Sequence, residues 1–189
     1  MDILPDLGDT LLAHARFAIG REFDVATNVA PVHPALSAPS ATFVTLRKQG
    51  ALRGCIGTVD AWRPLGEDVR ANAVAAAFND PRFPPLRPDE YDDLAVEVSL
   101  LSASVPLRVR DEADALAQLV PGVDGVILTS GRRRATFLPQ VWEQLPDART
   151  FLGELKRKAG LPYDYWGPEI ALARYRVDKF AEKAAAEAR

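Results

Sequence analysis

One cysteine, two histidines and one methionine in 189 residues leave this chain poor in soft ligands. A single thiol excludes a disulfide within the chain and fits a reducing compartment. One cysteine with two histidines far apart in sequence does not make a zinc or iron–sulfur ligand set, so neither metal nor cofactor is expected. No glycine-rich phosphate loop is present. Positive charge is not in surplus either: 23 lysines and arginines face 26 aspartates and glutamates, a net charge of −3. Such a chain has no global field to draw in nucleic acid, and nucleic-acid binding is not expected. No apolar run approaches the roughly 20 residues that a membrane-crossing helix needs. The opening Met1-Asp-Ile-Leu-Pro-Asp6 carries acid where a signal peptide carries base. These absences predict a cytoplasmic protein without a membrane partner.

What is present suits a globular domain. Hydrophobic residues make up 48% and charged residues 26%, enough for one buried core over residues 1–189, elaborated into two lobes. Asp6 reads as the N-cap of a helix whose apolar face carries Leu7, Leu11, Ala15 and Ala18. His14 lies on or beside that face, where a packed structural role outweighs a catalytic one. Residues 24–40, with Pro31, Pro34 and Pro39, read as a loop, and His33 within it is given the same weighting. Two strands, 41–48 and 51–57, join across a Gln49-Gly50 turn. Pro64 opens a helix to about Asn79, and three prolines in Asp80-Pro-Arg-Phe-Pro-Pro-Leu86 then make a stiff connector. Its rigidity could hold Arg82 and Phe83 against a ligand, or Phe83 could plug the core.

Alternation predicts a strand over 94–101 with Val96, Val98 and Leu100 inward and Glu97, Ser99 and Leu101 outward. A short helix near 111–119 follows, then a hairpin turning at Ser130-Gly131 and crowded by Arg132, Arg133 and Arg134, which reads as a solvated tip. A helical segment from Pro139, a helix capped by Asp147 and ended by Gly160, a strand from Ile170 to Val177 and an Ala/Glu tail over 182–189 complete the chain. Hairpins without regular βαβ alternation predict an α+β fold, mainly antiparallel sheet flanked by helices.

The chemistry-bearing stretch is Leu52-Arg-Gly-Cys-Ile-Gly57. Alternation sends Leu52, Gly54 and Ile56 to one face and Arg53, Cys55 and Gly57 to the other. Glycines inside a strand need a bulge, or the close approach of a backbone or a ligand. A guanidinium near Cys55 would favour its thiolate, and Glu97 from the neighbouring strand would act as acid/base or pair with Arg53. The candidate catalytic set is therefore Cys55, Arg53 and Glu97. The candidate ligand-lining set is Gly54, Gly57, Thr45, Ser99, Arg82 and Phe83.

Taken in order, Thr45-Leu-Arg47, the hexapeptide, Arg63-Pro-Leu65, Asp80-Pro-Arg-Phe-Pro-Pro-Leu86, Val96-Glu-Val-Ser99, Leu138-Pro-Gln-Val141 and Lys158-Ala-Gly-Leu161 resemble the AMMECR1 domain family. The family includes the bacterial form called AmmeMemoRadiSam system protein A, and the resemblance runs from about Leu7 to Phe180. It implies a cytosolic α+β domain with a large and a small lobe and no established activity. By association it also implies work beside a Memo-like protein and a radical S-adenosylmethionine protein. Two departures stand out. Ala135-Thr-Phe137 replaces the family's usual Gly-Leu-Leu before Leu138-Pro-Gln, and Lys156 stands where many relatives carry a second cysteine. Two functions remain in view. A module binding a partner, peptide or small molecule in a cleft is favoured narrowly over an enzyme using Cys55, because no histidine is placed near the thiol.

Overall fold

The computed structural model describes residues 6–25 and 30–182. Part of the 24–40 loop, and all of the expected tail except Glu182, lie outside the described residues. In chain order the elements are α1 (Leu7–Arg21), β1 (Ala41–Lys48), β2 (Ala51–Gly57), α2 (Leu65–Phe78), β3 (Leu94–Leu101) and β4 (Val105–Leu107). They continue with α3 (Glu112–Gln118), β5 (Gly125–Ser130), β6 (Arg133–Phe137), α4 (Ala148–Lys158), β7 (Ile170–Tyr175) and β8 (Val177–Ala181). Single 3-10 turns at Pro34–Ser37, Pro88–Asp93 and Pro139–Glu143 each begin on a proline, whose fixed φ suits a first helical position.

The strands form two four-stranded sheets, ordered β2-β1-β3-β8 and β4-β7-β5-β6, with antiparallel pairing throughout the described ladders. Helices flank both, so the fold is α+β. The chain divides into two compact units, one of Met1–Leu101 with Asp178–Arg189 and one of Ser102–Val177.

In the first unit, Asp6 caps α1 by accepting from the N–H groups of Gly8 and Asp9 at 2.8 and 3.3 Å. The α1 face of Leu11, Ala15 and Ile19 meets Val69, Ala73 and Ala76 of α2 and the inward residues Val44, Leu46, Val96 and Val98 of the sheet. Burying each of the larger side chains contributes about 1.5–3 kcal/mol. In the second unit, Val126, Leu128 and Leu172 on one face of the sheet join Phe151, Leu152 and Leu155 of α4 in a separate core. Trp142 stacks on Phe151 at 3.7 Å and donates its indole N–H to the Asp124 carbonyl, which satisfies its one polar atom.

Two expectations are corrected. The strand expected over 170–177 breaks at Arg176 into β7 and β8, which lie in different sheets. Ser102 accounts for the break: its hydroxyl accepts from the Arg176 N–H and its own N–H donates to the Arg176 carbonyl, both at 2.9 Å. Strict alternation in the hexapeptide also fails. Leu46 opposes Gly54 but Arg47 opposes Leu52, so Arg53 is an unpaired bulge residue. Leu52 consequently shares the face of Arg47 and Cys55, not that of Ile56, and is 39% exposed.

Candidate functional site

The hexapeptide forms an edge strand, since β2 ends its sheet. Thr45 opposes Cys55 on one side and Glu97 on the other, so the three side chains lie in one row across β2, β1 and β3. The backbone N–H and carbonyl of Cys55 both point away from β1, toward Asp80 and Arg82. Thr45 and Cys55 are therefore a non-hydrogen-bonded pair, the kind whose side chains come closest. That proximity lets the Thr45 hydroxyl donate to the Cys55 sulfur at 3.3 Å. The thiol is free and half-buried.

The proline-rich connector closes the outer edge of this strand. Asp80, only 2% exposed, accepts from the Cys55 N–H at 2.9 Å, and Arg82 donates to the Cys55 carbonyl at 3.1 Å. The two side chains are bonded to each other at 2.7 and 2.9 Å, so the pair fills the position a further strand would take. The Arg82 hydrogen bond holds the Asp80 carboxyl well below the usual carboxylate range, with the Cys55 and Arg82 N–H groups adding to it against the effect of burial. Phe83 sits half-buried between the guanidinium groups of Arg53 and Arg82, at 6.0 and 5.6 Å. Leu86, not Phe83, is the connector's core residue.

Arg53 does not join the Cys55 row through Glu97. The bulge releases it to Glu90, with bonds of 2.9 and 3.2 Å, and to the carbonyls of Pro84 and Pro85. Lys48 bonds the same Glu90 at 3.1 Å. Hydrogen bonding from Arg53, joined by the Arg87 N–H and Lys48, outweighs burial and lowers the Glu90 pKa to about 2. The cations beside Glu97 are Lys179 of β8 at 2.9 Å and Arg47 of β1 at 3.4 Å. Ser99 stands opposite Phe43 and is 3% exposed.

The two glycines leave no open space. A Cβ on Gly54 would stand 2.1 Å from the Ala76 carbonyl oxygen of α2. One on Gly57 would stand 2.2 Å from the ring of Phe43, its cross-strand partner. Gly54 thus serves the approach of a helix backbone, and Gly57 makes room for an aromatic ring. Of the alternatives open to a strand glycine, a bulge, a close backbone or a ligand, the close backbone is the one seen at Gly54.

Both histidines have structural partners. His14 is buried, with Nε2 2.9 Å from the Pro31 carbonyl and Nδ1 3.2 Å from Arg70. His33 Nδ1 accepts from the Ala35 N–H at 3.1 Å and caps a 3-10 turn. Grooves of about 750 and 510 Å³ along α1 and α2 share Glu67 and Arg70, and neither is lined by Cys55, Arg53 or Glu97. Among the described residues no group of three or more His, Cys, Asp and Glu side chains is placed to hold a metal ion, and no helix is long and apolar enough to cross a membrane.

Sequence reasoning missed the most heavily bonded carboxylate. Asp68, fully buried on α2, accepts from the N–H and hydroxyl of Thr42, the Thr58 hydroxyl, the Asn72 amide and the Arg63 guanidinium, all within 3.0 Å. The signal was available: Asp68 and Asn72 are four apart and adjoin Leu65, Val69 and Ala73 on the inward stripe. Polar residues at such positions need buried partners. The network ties the start of α2 to β1 and to the end of β2, and so fixes the helix that covers Gly54.

Comparison with known proteins agrees with this architecture. The AMMECR1 family profile matches residues 12–180. A protein of Methanothermobacter thermautotrophicus is 40% identical over 182 residues, covering 94% of this chain and 95% of its own. A protein of Sulfolobus acidocaldarius is 38% identical over 187 residues, with coverage of 95% and 81%. The crystal structure of an uncharacterized protein, PH0010, from Pyrococcus horikoshii superposes with a TM-score of 0.82 at 33% identity, covering 97% of this chain and 95% of that one. With the profile spanning most of its length and relatives this similar, the chain belongs to the AMMECR1 family.

Proposed function

We propose that this chain is a binding module of the cytoplasm whose recognition surface is the polar sheet face of Cys55, Thr45 and Glu97. The observation that carries the reading is the commitment of its reactive groups. The Thr45 hydroxyl donates to the thiol instead of taking its proton, Glu97 is paired to Lys179 and Arg47, and Arg53 is turned to Glu90. His14 and His33 spend ring nitrogens on Pro31, Arg70 and Ala35. A nucleophilic mechanism needs a base or a cation placed to activate the thiol; these groups are otherwise engaged, and Arg82, the cation next to Cys55, is bonded to Asp80 and to the Cys55 carbonyl. A face of half-buried polar groups held in fixed positions suits recognition of a partner chain or a small ligand. The resemblance to the bacterial AmmeMemoRadiSam form supplies the partners to try first, a Memo-like protein and a radical S-adenosylmethionine protein.

The test is calorimetric titration of the purified chain with each of those two proteins, alongside thiol alkylation. Saturable binding to one of them, weakened about tenfold or more by Glu97→Lys through charge reversal at the face, is the expected result. Iodoacetamide should label Cys55 no faster than it labels glutathione at the same pH. Absence of binding, combined with labelling much faster than glutathione, would replace this reading with an enzyme using Cys55.

A further inference from the structure

A notch of about 240 Å³ opens in the second unit, lined among others by Ser102, Ala103, Val105, Asp124, Arg174 and Arg176. Two arginines two residues apart line it together, and the local bonding leaves the guanidinium groups of both with donors to spend. The bonds that fix Arg176 go to its main chain, from Ser102, so the exposed side chain is free to turn toward a ligand. Arg174 has only long contacts, 3.4 Å to the Gln118 carbonyl and 3.7 Å to Asp124 Oδ2, near or beyond the limit of a useful hydrogen bond. Asp124 is 2% exposed, and its Oδ2 accepts from the Val120 N–H at 2.9 Å. Two cations against one inward carboxylate leave a surplus positive charge at the mouth.

We infer that this notch binds a small oxyanion, a phosphate or a carboxylate, between the guanidinium groups of Arg174 and Arg176. Planar guanidinium forks match the paired oxygens of both groups. The volume lies below the roughly 300–1,000 Å³ of sites that enclose whole drug-sized ligands, so it suits a single anionic group. Ala103 and the 58% exposed Val105 add an apolar wall, against which the short hydrocarbon part of a carboxylate would rest. The site lies entirely within the second unit and does not depend on the Cys55 face.

The test is a titration of the full chain with inorganic phosphate and, separately, with propionate at low ionic strength, followed by amide NMR. The expected result is saturable shifts at Ser102, Ala103, Arg174 and Arg176 with at least one of the two anions. Tighter phosphate identifies a phosphate site, and tighter propionate a carboxylate site. Arg176→Gln should weaken binding about tenfold or more, the loss of one charge-assisted contact. Arg174→Lys, which keeps charge but loses the fork, should weaken it less. Arg149→Gln, an exposed arginine of the same unit outside the notch, should leave it unchanged. Shifts that do not saturate, that centre elsewhere, or that persist unchanged in Arg176→Gln would overturn the assignment. Among the described residues the Arg176 side chain makes no structural hydrogen bond or ion pair, so its variant should fold normally, and the unperturbed amide spectrum verifies this.

Discussion

Replacing Gly54 by alanine tests whether the hexapeptide glycines serve packing or a ligand. The new methyl would stand 2.1 Å from the Ala76 carbonyl oxygen and 3.0 Å from its carbon. Both obstructing atoms are backbone in the last turn of α2, so no rotamer change relieves the contact. The end of the helix must move about 1 Å from the sheet, and with it Ala73 and Ala76, which are at most 1% exposed. Overpacking of this kind costs about 1–3 kcal/mol, and a rigid obstacle places it at the upper end. Gly57→Ala is the matched control. Its methyl would meet the Phe43 ring at 2.2 Å, but a side chain can swing aside, for a cost of about 1 kcal/mol. At about 2–4 °C per kcal/mol for a chain of this size, Gly54→Ala should lower the melting temperature by roughly 6–12 °C and Gly57→Ala by roughly 2–4 °C. Thermal unfolding followed by circular dichroism reads both. If Gly54→Ala melts with the parent, or no lower than Gly57→Ala, the close approach of α2 is not what requires the glycine.

The other variants probe the same neighbourhood. Asp80→Ala removes the acceptor for the Cys55 N–H and the partner of Arg82; a loss of about 1–3 kcal/mol in urea unfolding and faster hydrogen exchange at the Cys55 amide are expected, and unchanged exchange there would count against the edge closure. Glu90 has a pKa lowered to about 2, chiefly by its hydrogen bond to Arg53. The folded state therefore binds fewer protons than the unfolded chain as pH falls from the ordinary glutamate range toward 2, and stability is lost over that interval. Glu90→Gln should flatten that acid-side loss while lowering stability at neutral pH, and parallel pH profiles for the two proteins would contradict it. Arg63→Ala leaves the fully buried Asp68 without its cation; breaking a buried pair in this way costs about 3–5 kcal/mol, read by chemical denaturation, and a cost below about 1 kcal/mol would show that Thr42, Thr58 and Asn72 suffice.

Local features of the fold were legible in the sequence because local rules govern them. Asp6 and Asp147 cap helices as their positions imply, and the Gln49-Gly50 turn has the positive φ angles that such a pair supplies. What escaped reading depends on register and on distant partners. Alternation places Arg53 beside Cys55 only if the ladder is continuous, and one extra residue between Leu52 and Gly54 diverts it to Glu90. Division of the strands between two sheets was equally hidden, since the turn at Arg176 is held by Ser102, 74 residues earlier. The row of Thr45, Cys55 and Glu97 could be anticipated from periodicity, whereas Lys179 could not, because the expected strand ends at Val177 and no pattern marks 178–181 as a further one.

The two most distinctive segments of the chain act as one structural device. An edge strand with two glycines and an outward N–H and carbonyl at Cys55 is exposed to strand addition and to fraying. Asp80 and Arg82 occupy both backbone groups, Pro84 and Pro85 offer carbonyls to the bulged Arg53, and Leu86 anchors the far end of the connector in the core. The prolines limit the conformations this segment must lose to reach that position. Each segment thus supplies what the other lacks: the strand offers unpaired backbone and a displaced arginine, and the connector offers a carboxylate, a guanidinium and free carbonyls at matching positions. The consequence for function is that the sulfur lies on a strand fixed at both edges, by β1 on one side and by the connector on the other. Thr45 and Glu97 stand in register with it, so the polar face is already ordered, and in the binding role proposed above little conformational entropy would remain to be lost.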